Sequence, residues 1–133
     1  MSKIAFVLTI FVFFTTSCKK DVTDEIDITE YSWVLEYIKI DSDKTKPDNK
    51  YTLSFNNDSI FTLNLSINTG GGKYEIKSKG NISVFNYEPL SELCCENDFD
   101  KDLLQSFPKV NKYEVLKNDL IFTGEDIKIV FKK

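Results

Sequence analysis

From Trp33 to its C-terminus the sequence consists of short runs in which apolar and polar residues alternate, with turn-forming residues between them. A period of two puts successive side chains on opposite faces of a β-strand. The eleven Phe and six Tyr residues, against one Met, add to this preference, because aromatic residues favour strands. The pattern predicts a mostly β fold, a small antiparallel β-barrel-like single domain of about eight strands with one short helix, either closed or partly open.

Turn-forming residues set the expected strand boundaries. The polar stretch Asp41 to Asn49 is expected to be an exposed loop. Asn68 to Gly72 ends in three glycines, and because glycine reaches positive φ freely, it predicts a sharp reversal. Tyr74 and Ile76 are expected to face the interior, and Ile67 is expected to share one strand face with Phe61, Leu63 and Leu65. The predicted strands are Trp33 to Ile40, Tyr51 to Phe55, Phe61 to Ile67, Lys73 to Lys77, Ile82 to Tyr87, Lys112 to Lys117, Leu120 to Thr123 and Ile127 to Phe131.

One helix is predicted where the β pattern breaks. Asn97 or Asp98 can cap its N-terminus, and Pro108 closes it. Apolar residues recur at every fourth position, which places them on one helical face. We expect this helix to plug or flank the barrel. Its apolar face consists of Phe99, Leu103 and Phe107.

The first 17 residues are typical of a secretory signal peptide. Lys3 gives a positive start, Ile4 to Phe14 is apolar except for Thr9, and small residues precede Cys18. The apolar run is far shorter than the roughly 20 residues that a membrane-spanning helix needs. We therefore expect this segment to be cleaved.

A hydrophobic run followed by small residues and Cys18 resembles the bacterial lipoprotein lipobox, although Thr15 stands where leucine is usual. The resemblance implies acylation of Cys18 and an anchor in the membrane. Diacylation suffices for stable anchoring, since each buried methylene contributes about 0.8 kcal/mol. The alternative is a plain signal peptide. Residues 18–30 then form the lipidated cysteine and a charged tether, and residues 31–133 form the β domain.

The charged tether has two interpretations. It resembles the lysine-plus-acid export signals of Bacteroidetes surface lipoproteins, and it also fits an ordinary solvated linker. The expected location is the cell envelope, as an outer-membrane lipoprotein, with exposure at the cell surface left open. The tether's charges are Lys19, Lys20, Asp21, Asp24, Glu25 and Asp27.

The chain contains no His, and its basic residues are all lysines. Without His there is no Ser-His-Asp or Cys-His catalysis and no imidazole metal ligand, and without Arg there is no bidentate clamp for phosphates. The net charge of −4 disfavours nucleic acid as a partner. We therefore expect a monomer without enzymatic activity or cofactor.

Cys94 and Cys95 are the two cysteines besides Cys18. Adjacent Cα atoms lie about 3.8 Å apart, which is short of the usual disulfide range. We favour free thiols over a strained vicinal disulfide that would act as a redox or rigidifying element.

Two further groups of residues have a functional and a structural interpretation. Acids around the predicted helix start suggest an oxygen-ligand cation site, but they lack the calcium-loop spacing, and a helix dipole favours acids there anyway. Alternating aromatic residues suggest a lipocalin-like cavity, but such residues more often fill a core. We expect no metal site and a filled core. The acids are Glu92, Glu96, Asp98, Asp100 and Asp102, and the aromatic residues are Tyr51, Phe55, Phe61 and Tyr74.

The order of landmarks from residue 31 onward resembles the META or HslJ-like domain of bacterial envelope proteins. Ser66 and Ile67 depart from the family's Gly-Cys before the asparagine, and Ser91 replaces its threonine. The residues that carry the resemblance are the Trp-x-Leu of Trp33 and Leu35, then Phe55, then Asn68, Gly72 and Tyr74, then Cys95, and finally Leu104, Val110, Tyr113 and Leu120.

The resemblance implies a β-barrel-like fold with a short helix and a setting in envelope stress or antibiotic tolerance, without a defined enzymatic activity. We therefore expect a membrane-anchored, non-enzymatic module that contacts another envelope protein. The alternative is a lipocalin-like carrier of a small apolar ligand in the barrel interior. A carboxylate enzyme has little support, because no spacing identifies an acid pair.

Overall fold

The computed structural model describes residues 26–91 and 96–133, and in this part of the chain nine antiparallel strands and one α-helix surround a single core. The mostly β fold predicted from the sequence is confirmed. The strands are β1 (Ser32–Ile40), β2 (Asp43–Thr45), β3 (Thr52–Phe55), β4 (Ile60–Asn64), β5 (Thr69–Ser78), β6 (Asn81–Pro89), β7 (Lys112–Leu116), β8 (Asp119–Gly124) and β9 (Ile127–Lys132). The helix is α1 (Asp98–Ser106), and two 3-10 helices span Ile28–Glu30 and Phe107–Lys109.

The sheet closes into a ring because β1 pairs with both β3 and β9. Its weakest seam lies between β6 and β7, which share one residue pair, Asn81 with Lys112. Beyond this pair the second 3-10 helix packs against β6, and the carbonyl oxygen of Lys109 lies 2.6 Å from where a Cβ on Gly124 would stand. The second 3-10 helix, which directly follows α1, therefore occupies the gap that the strands leave between β6 and β7.

The antiparallel order gives the ring two distinct ends. We call the end where β1 begins the tether end, because the first 3-10 helix leads into it. It also holds the β3–β4, β5–β6 and β7–β8 turns and the C-terminus. The opposite end, where β3 and β5 begin and β6 ends beside α1, is the helix end.

Aromatic rings fill the centre of the ring. The Phe107 ring packs edge-on against Phe61 and Phe122, with ring centroids 5.3 and 5.4 Å apart. Tyr74 packs on Phe55 at 4.8 Å. The largest side chains buried to less than 2% exposure are Trp33, Tyr51, Phe61, Phe107, Phe122 and Phe131. These residues fill the core, as the structural interpretation of the aromatic pattern expected.

The helix begins where the sequence predicted. Asn97 is the N-cap, and its side-chain oxygen accepts a 2.7 Å hydrogen bond from the backbone N–H of Asp100. Leu103 and Phe107 are fully buried, and Phe99 packs against the core from its edge. The α-helix ends at Ser106, immediately before the 3-10 turn that contains Pro108.

The reversal predicted from the three glycines is wrong. Gly70, Gly71 and Gly72 lie inside β5, paired with β4 and β6, and Gly80 is the glycine with positive φ in the described residues. The turn comes earlier, where the N–H of Leu65 bonds the carbonyl of Asn68 at 2.8 Å. A Cβ on Gly72 would lie 2.8 Å from the Phe61 ring, so this glycine gives space to a core aromatic side chain rather than bending the chain.

Three smaller differences arise where strands end. The predicted exposed loop Asp41 to Asn49 contains the short strand β2, which accounts for the ninth strand. Ile67 does not share the buried strand face of Phe61 and Leu63 but is 62% exposed, because the chain leaves the sheet after Asn64. Ile76 is 42% exposed because β5 has reached the open rim of the ring there.

The packed fold begins before Tyr31, where the sequence placed the start of the domain. Ile28 is buried in the core, and its carbonyl accepts a 2.9 Å hydrogen bond from Trp33 Nε1. Asp27 caps the first 3-10 helix, and hydrogen bonds from the backbone and hydroxyl of Thr29 hold the pKa of this carboxyl below its usual value. The last residues of the predicted tether therefore belong to the folded domain.

Candidate functional site

The most concentrated polar chemistry lies at the helix end, around the carboxylate of Asp100. Asp100 is fully buried, in the first turn of α1. Its Oδ1 accepts a 2.6 Å hydrogen bond from the Tyr51 hydroxyl, and its Oδ2 accepts a 2.9 Å bond from the Ser66 hydroxyl. A buried carboxylate is tolerated only when such donors replace water.

The helix start completes this polar cluster. The Asn97 side-chain amide donates to the Tyr51 hydroxyl at 3.4 Å while its oxygen caps Asp100. The helix dipole favours a negative charge in this first turn. Burial, reinforced by the bond to Asp100, raises the pKa of Tyr51 above its ordinary value. Tyr51, Ser66, Asn97 and Asp100 therefore form one connected network.

The network fastens the helix to the barrel. Each carboxylate oxygen of Asp100 already has a hydroxyl donor, and Tyr51 and Ser66 belong to segments beside β3 and β4. Among the described residues no group of three His, Cys, Asp or Glu side chains could hold a metal ion. The arrangement suits structural locking of α1.

A second feature of the helix end is the Tyr87 hydroxyl. It is buried without a hydrogen-bond partner among the residues that the structure describes, and burial, with the nearby charges of Glu96 and Asp100, raises its pKa. A Cβ on Gly70 would lie 1.8 Å from this oxygen. The glycine therefore opens the space that the Tyr87 ring occupies.

The acids proposed from the sequence as a cation site point in different directions. Asp98 is fully exposed and pairs with Lys101 at 3.5 Å, and Asp102 is exposed, whereas Asp100 points inward. Glu92 lies outside the described residues. The role of Asp100 was missed from the sequence, although one signal was available: it precedes Leu103 by three positions, on the same helical face.

The landmark residues of the family resemblance are spread through the core and turns rather than gathered in one site. Tyr74 is 7% exposed, and its hydroxyl donates to the Asn56 carbonyl at 2.6 Å, which fixes the β3–β4 turn. The N–H of Tyr113 bonds the Gly80 carbonyl at 3.0 Å beside the β6–β7 seam. The landmarks buried to 4% exposure or less are Trp33, Leu35, Phe55, Asn68, Val110 and Leu120.

All three cysteines of the sequence analysis lie outside the described residues. Lipidation of Cys18 and the state of Cys94 and Cys95 therefore remain predictions. Among the described residues, no helix combines the length and the apolar character needed to span a bilayer.

Two exposed apolar side chains also lie at the helix end. Ile67 is 62% and Leu90 is 64% exposed, the highest values among the large hydrophobic residues described. Their loops are joined at Thr69, whose carbonyl accepts from the backbone N–H of Leu90 at 2.8 Å and whose N–H donates to the Ser91 hydroxyl at 2.9 Å. These hydrogen bonds fix both loops to the start of β5.

Comparison with known proteins agrees with this architecture. A crystal structure of a DUF4847 family protein from Bacteroides vulgatus superposes with a TM-score of 0.61 at 11% identity, covering 79% of this chain and 93% of that one. An NMR structure of a protein from Burkholderia xenovorans gives 0.65 at 12% identity, covering 99% and 97%. At such identities the likeness concerns the fold alone.

The family follows from the sequence comparison. A search of curated proteins gives no match. The META domain family matches residues 26–133, which is most of the chain and includes the first 3-10 helix, all nine described strands and α1. The chain therefore belongs to the META domain family.

Proposed function

We propose that this protein is an envelope lipoprotein, held in the outer membrane by acyl chains on Cys18, whose META domain is a non-enzymatic interaction module with a role in envelope stress. The lipobox-like leader supports the anchor. The surface at the helix end supports the interaction. The partner in this proposal is another envelope protein.

The exposure of Ile67 and Leu90 carries the proposal. Large apolar side chains on loops that are fixed by hydrogen bonds can bind a partner without a large ordering cost. Two acidic residues, Glu88 and Glu96, flank the Leu90 loop in the sequence. An apolar centre with a charged rim is the usual composition of a protein–protein contact. The surface suits a partner with an apolar patch and basic neighbours.

A carrier function has weaker support because the interior is occupied. Aromatic rings in mutual contact run from Phe61 through Phe107 and Phe122 to Phe131. A carrier needs an apolar cavity of several hundred Å³. Native mass spectrometry separates the two functions: we expect the unliganded mass, and a stoichiometric apolar adduct would favour the carrier.

The interaction is tested by crosslinking in intact cells. We expect the wild type to give discrete crosslinked species that the double variant Ile67→Ser/Leu90→Ser loses. Ile60→Ser is the matched control, because Ile60 is 43% exposed at the tether end, and it should keep these species. Cys18→Ala should also lose the crosslinked species, because this variant is no longer anchored in the membrane. Equal yields from the wild type and the double variant would exclude this surface.

A further inference from the structure

The β7–β8 turn carries an apolar side chain among lysines at the tether end. Leu116 is 54% exposed, and Lys117 follows it in a left-handed conformation with φ of 57°. A surface groove of about 330 Å³ lies against this turn. The groove is lined by Leu116, Lys117, Asn118, Asp119, Lys132 and Lys133.

Direct contacts place this turn beside the point where the tether joins the domain. The N–H of Lys133 bonds the Asn118 carbonyl at 3.0 Å, and the Lys133 ammonium lies 4.4 Å from the centre of the Tyr31 ring. Tyr31 immediately follows the 3-10 helix Ile28–Glu30. Lys133 therefore connects the exposed turn to the end of the tether.

The tether keeps this end close to the membrane. If Cys18 carries the acyl chains, the chain runs eight positions from it to Ile26. At about 3.6 Å per residue they span at most roughly 29 Å. The helix end lies farther from the point where the tether joins the domain by the length of a strand, since β1 has nine residues.

Exposed acids at the helix end favour the same orientation. The exposed acids Asp98 and Asp102 stand on α1, and Glu125 and Asp126 form the β8–β9 turn, all at the helix end. An anionic lipid surface repels these groups and attracts lysines. Lys132 is paired with Glu36 at 3.4 Å, and Lys117 and Lys133 are the other two lysines that line the groove.

We propose that the β7–β8 turn docks on the anionic bilayer surface in which the lipoprotein is anchored, with Leu116 at headgroup depth and Lys117 and Lys133 against lipid phosphates. The inference rests on the proposed acylation of Cys18. It fixes the orientation of the domain, because docking at the tether end directs the helix end and its apolar loops away from the membrane. The anchored protein then presents Ile67 and Leu90 to a partner.

The test uses the purified acylated chain, verified by mass, in vesicles of phosphatidylcholine with about 30% phosphatidylglycerol, an anionic content high enough for a strong surface potential. Brominated lipids report the depth of a tryptophan introduced as Leu116→Trp. The matched control is Leu90→Trp, at the helix end. Native Trp33 is fully buried, so the parental chain supplies the background.

We expect strong quenching for Leu116→Trp and none above background for Leu90→Trp. Each lysine near the surface contributes roughly a fivefold change in the docking equilibrium. Adding Lys117→Glu and Lys133→Glu, using pure phosphatidylcholine, or raising the salt should therefore reduce the quenching, whereas Lys46→Glu and Lys109→Glu at the helix end should not.

The outcomes separate the two proposals. Equal quenching at both positions, or none at Leu116→Trp in protein that is acylated and floats with the vesicles, overturns the docking and leaves the anchor intact. Protein that proves unacylated overturns the anchor and the docking together. A blue shift of the Leu116→Trp emission without lipid would assign the turn to a contact between two copies and also overturn the docking.

Discussion

The hydroxyl of Tyr51, next to the start of β3, donates a 2.6 Å hydrogen bond to the carboxylate of Asp100 in the first turn of α1. The two residues are 49 positions apart and both are buried. The bond therefore joins the helix to the barrel through a charged group that is cut off from water. Loss of one partner leaves the other with an unmet hydrogen-bonding requirement.

Tyr51→Phe is predicted to lower the free energy of unfolding by about 1.5–3 kcal/mol, the range for hydrogen bonds to charged groups. Urea unfolding followed by circular dichroism measures the loss. Tyr37→Phe is the control, because Tyr37 is only half-buried and its ring contacts Lys44 rather than a buried carboxylate. Equal losses from the two variants would contradict the role of the Asp100 contact.

Asp100→Asn is predicted to destabilise the fold by about 1–3 kcal/mol, because the amide keeps the volume but replaces one acceptor with a donor. In the double variant with Tyr51→Phe, the loss of unfolding free energy should be smaller than the sum of the two single losses by more than about 0.5 kcal/mol. The double-mutant cycle in urea measures this coupling. Simple additivity would show that the two groups act independently.

Tyr87→Phe is predicted to leave the stability unchanged within about 0.5 kcal/mol or to raise it. Its hydroxyl is buried and has no hydrogen-bond partner in residues 26–91 and 96–133, so its removal relieves a desolvation cost and breaks no bond to those residues. Thermal unfolding of the variant beside Tyr51→Phe checks the contrast. A loss as large as that of Tyr51→Phe would reveal a partner of the Tyr87 hydroxyl.

Gly70→Ala is predicted to cost about 1–3 kcal/mol, the range for overpacked cores. The new methyl group would lie 1.8 Å from the Tyr87 hydroxyl oxygen and 2.2 Å from the ring carbon that bears it. The same change made in a Tyr87→Leu background should cost much less, because the ring is gone. Urea unfolding measures the cost of Gly70→Ala in the wild type and in the Tyr87→Leu background. Equal costs would show that the clash is not with Tyr87.

Stability is predicted to fall at alkaline pH. Burial raises the folded-state pKa of Tyr51, Tyr74 and Tyr87, whereas an unfolded tyrosine titrates near 10. Below the unfolded pKa, the contribution of these tyrosines to the free energy of unfolding is fully present. Above it the unfolded chain loses its protons first, so the stability declines with rising pH until the folded-state pKa is reached. Urea midpoints across this range, with phenolate absorbance in parallel, measure the effect. A flat profile above pH 10 would contradict the raised pKa values.

The sequence predicted the parts of the fold that depend on local patterns. Alternating apolar residues located the strands, and Asn97 and Leu103 located the helix, because capping and helical periodicity are properties of neighbouring residues. The three glycines were misread, since their local preference for turns is overridden by the rings of Phe61 and Tyr87, which are distant in sequence and need their space.

The candidate site was harder to predict for the same reason. Asp100 was one of several acids near a helix start, and the presence of Tyr51 and Ser66 opposite it follows from the closure of the ring. Ile67 continued the alternation of its strand, yet the strand ends at Asn64. The residue at which a strand ends depends on the strands that pair with it, and these lie elsewhere in the sequence.

The intact mass of the mature protein extracted from membranes tests the central claim most directly. The account predicts a chain that begins at Cys18 and carries the added mass of a diacylglyceryl group, with or without a further acyl chain. Cys18→Ala should abolish both the added mass and the membrane association. An unmodified wild-type chain recovered from the soluble fraction would contradict the account.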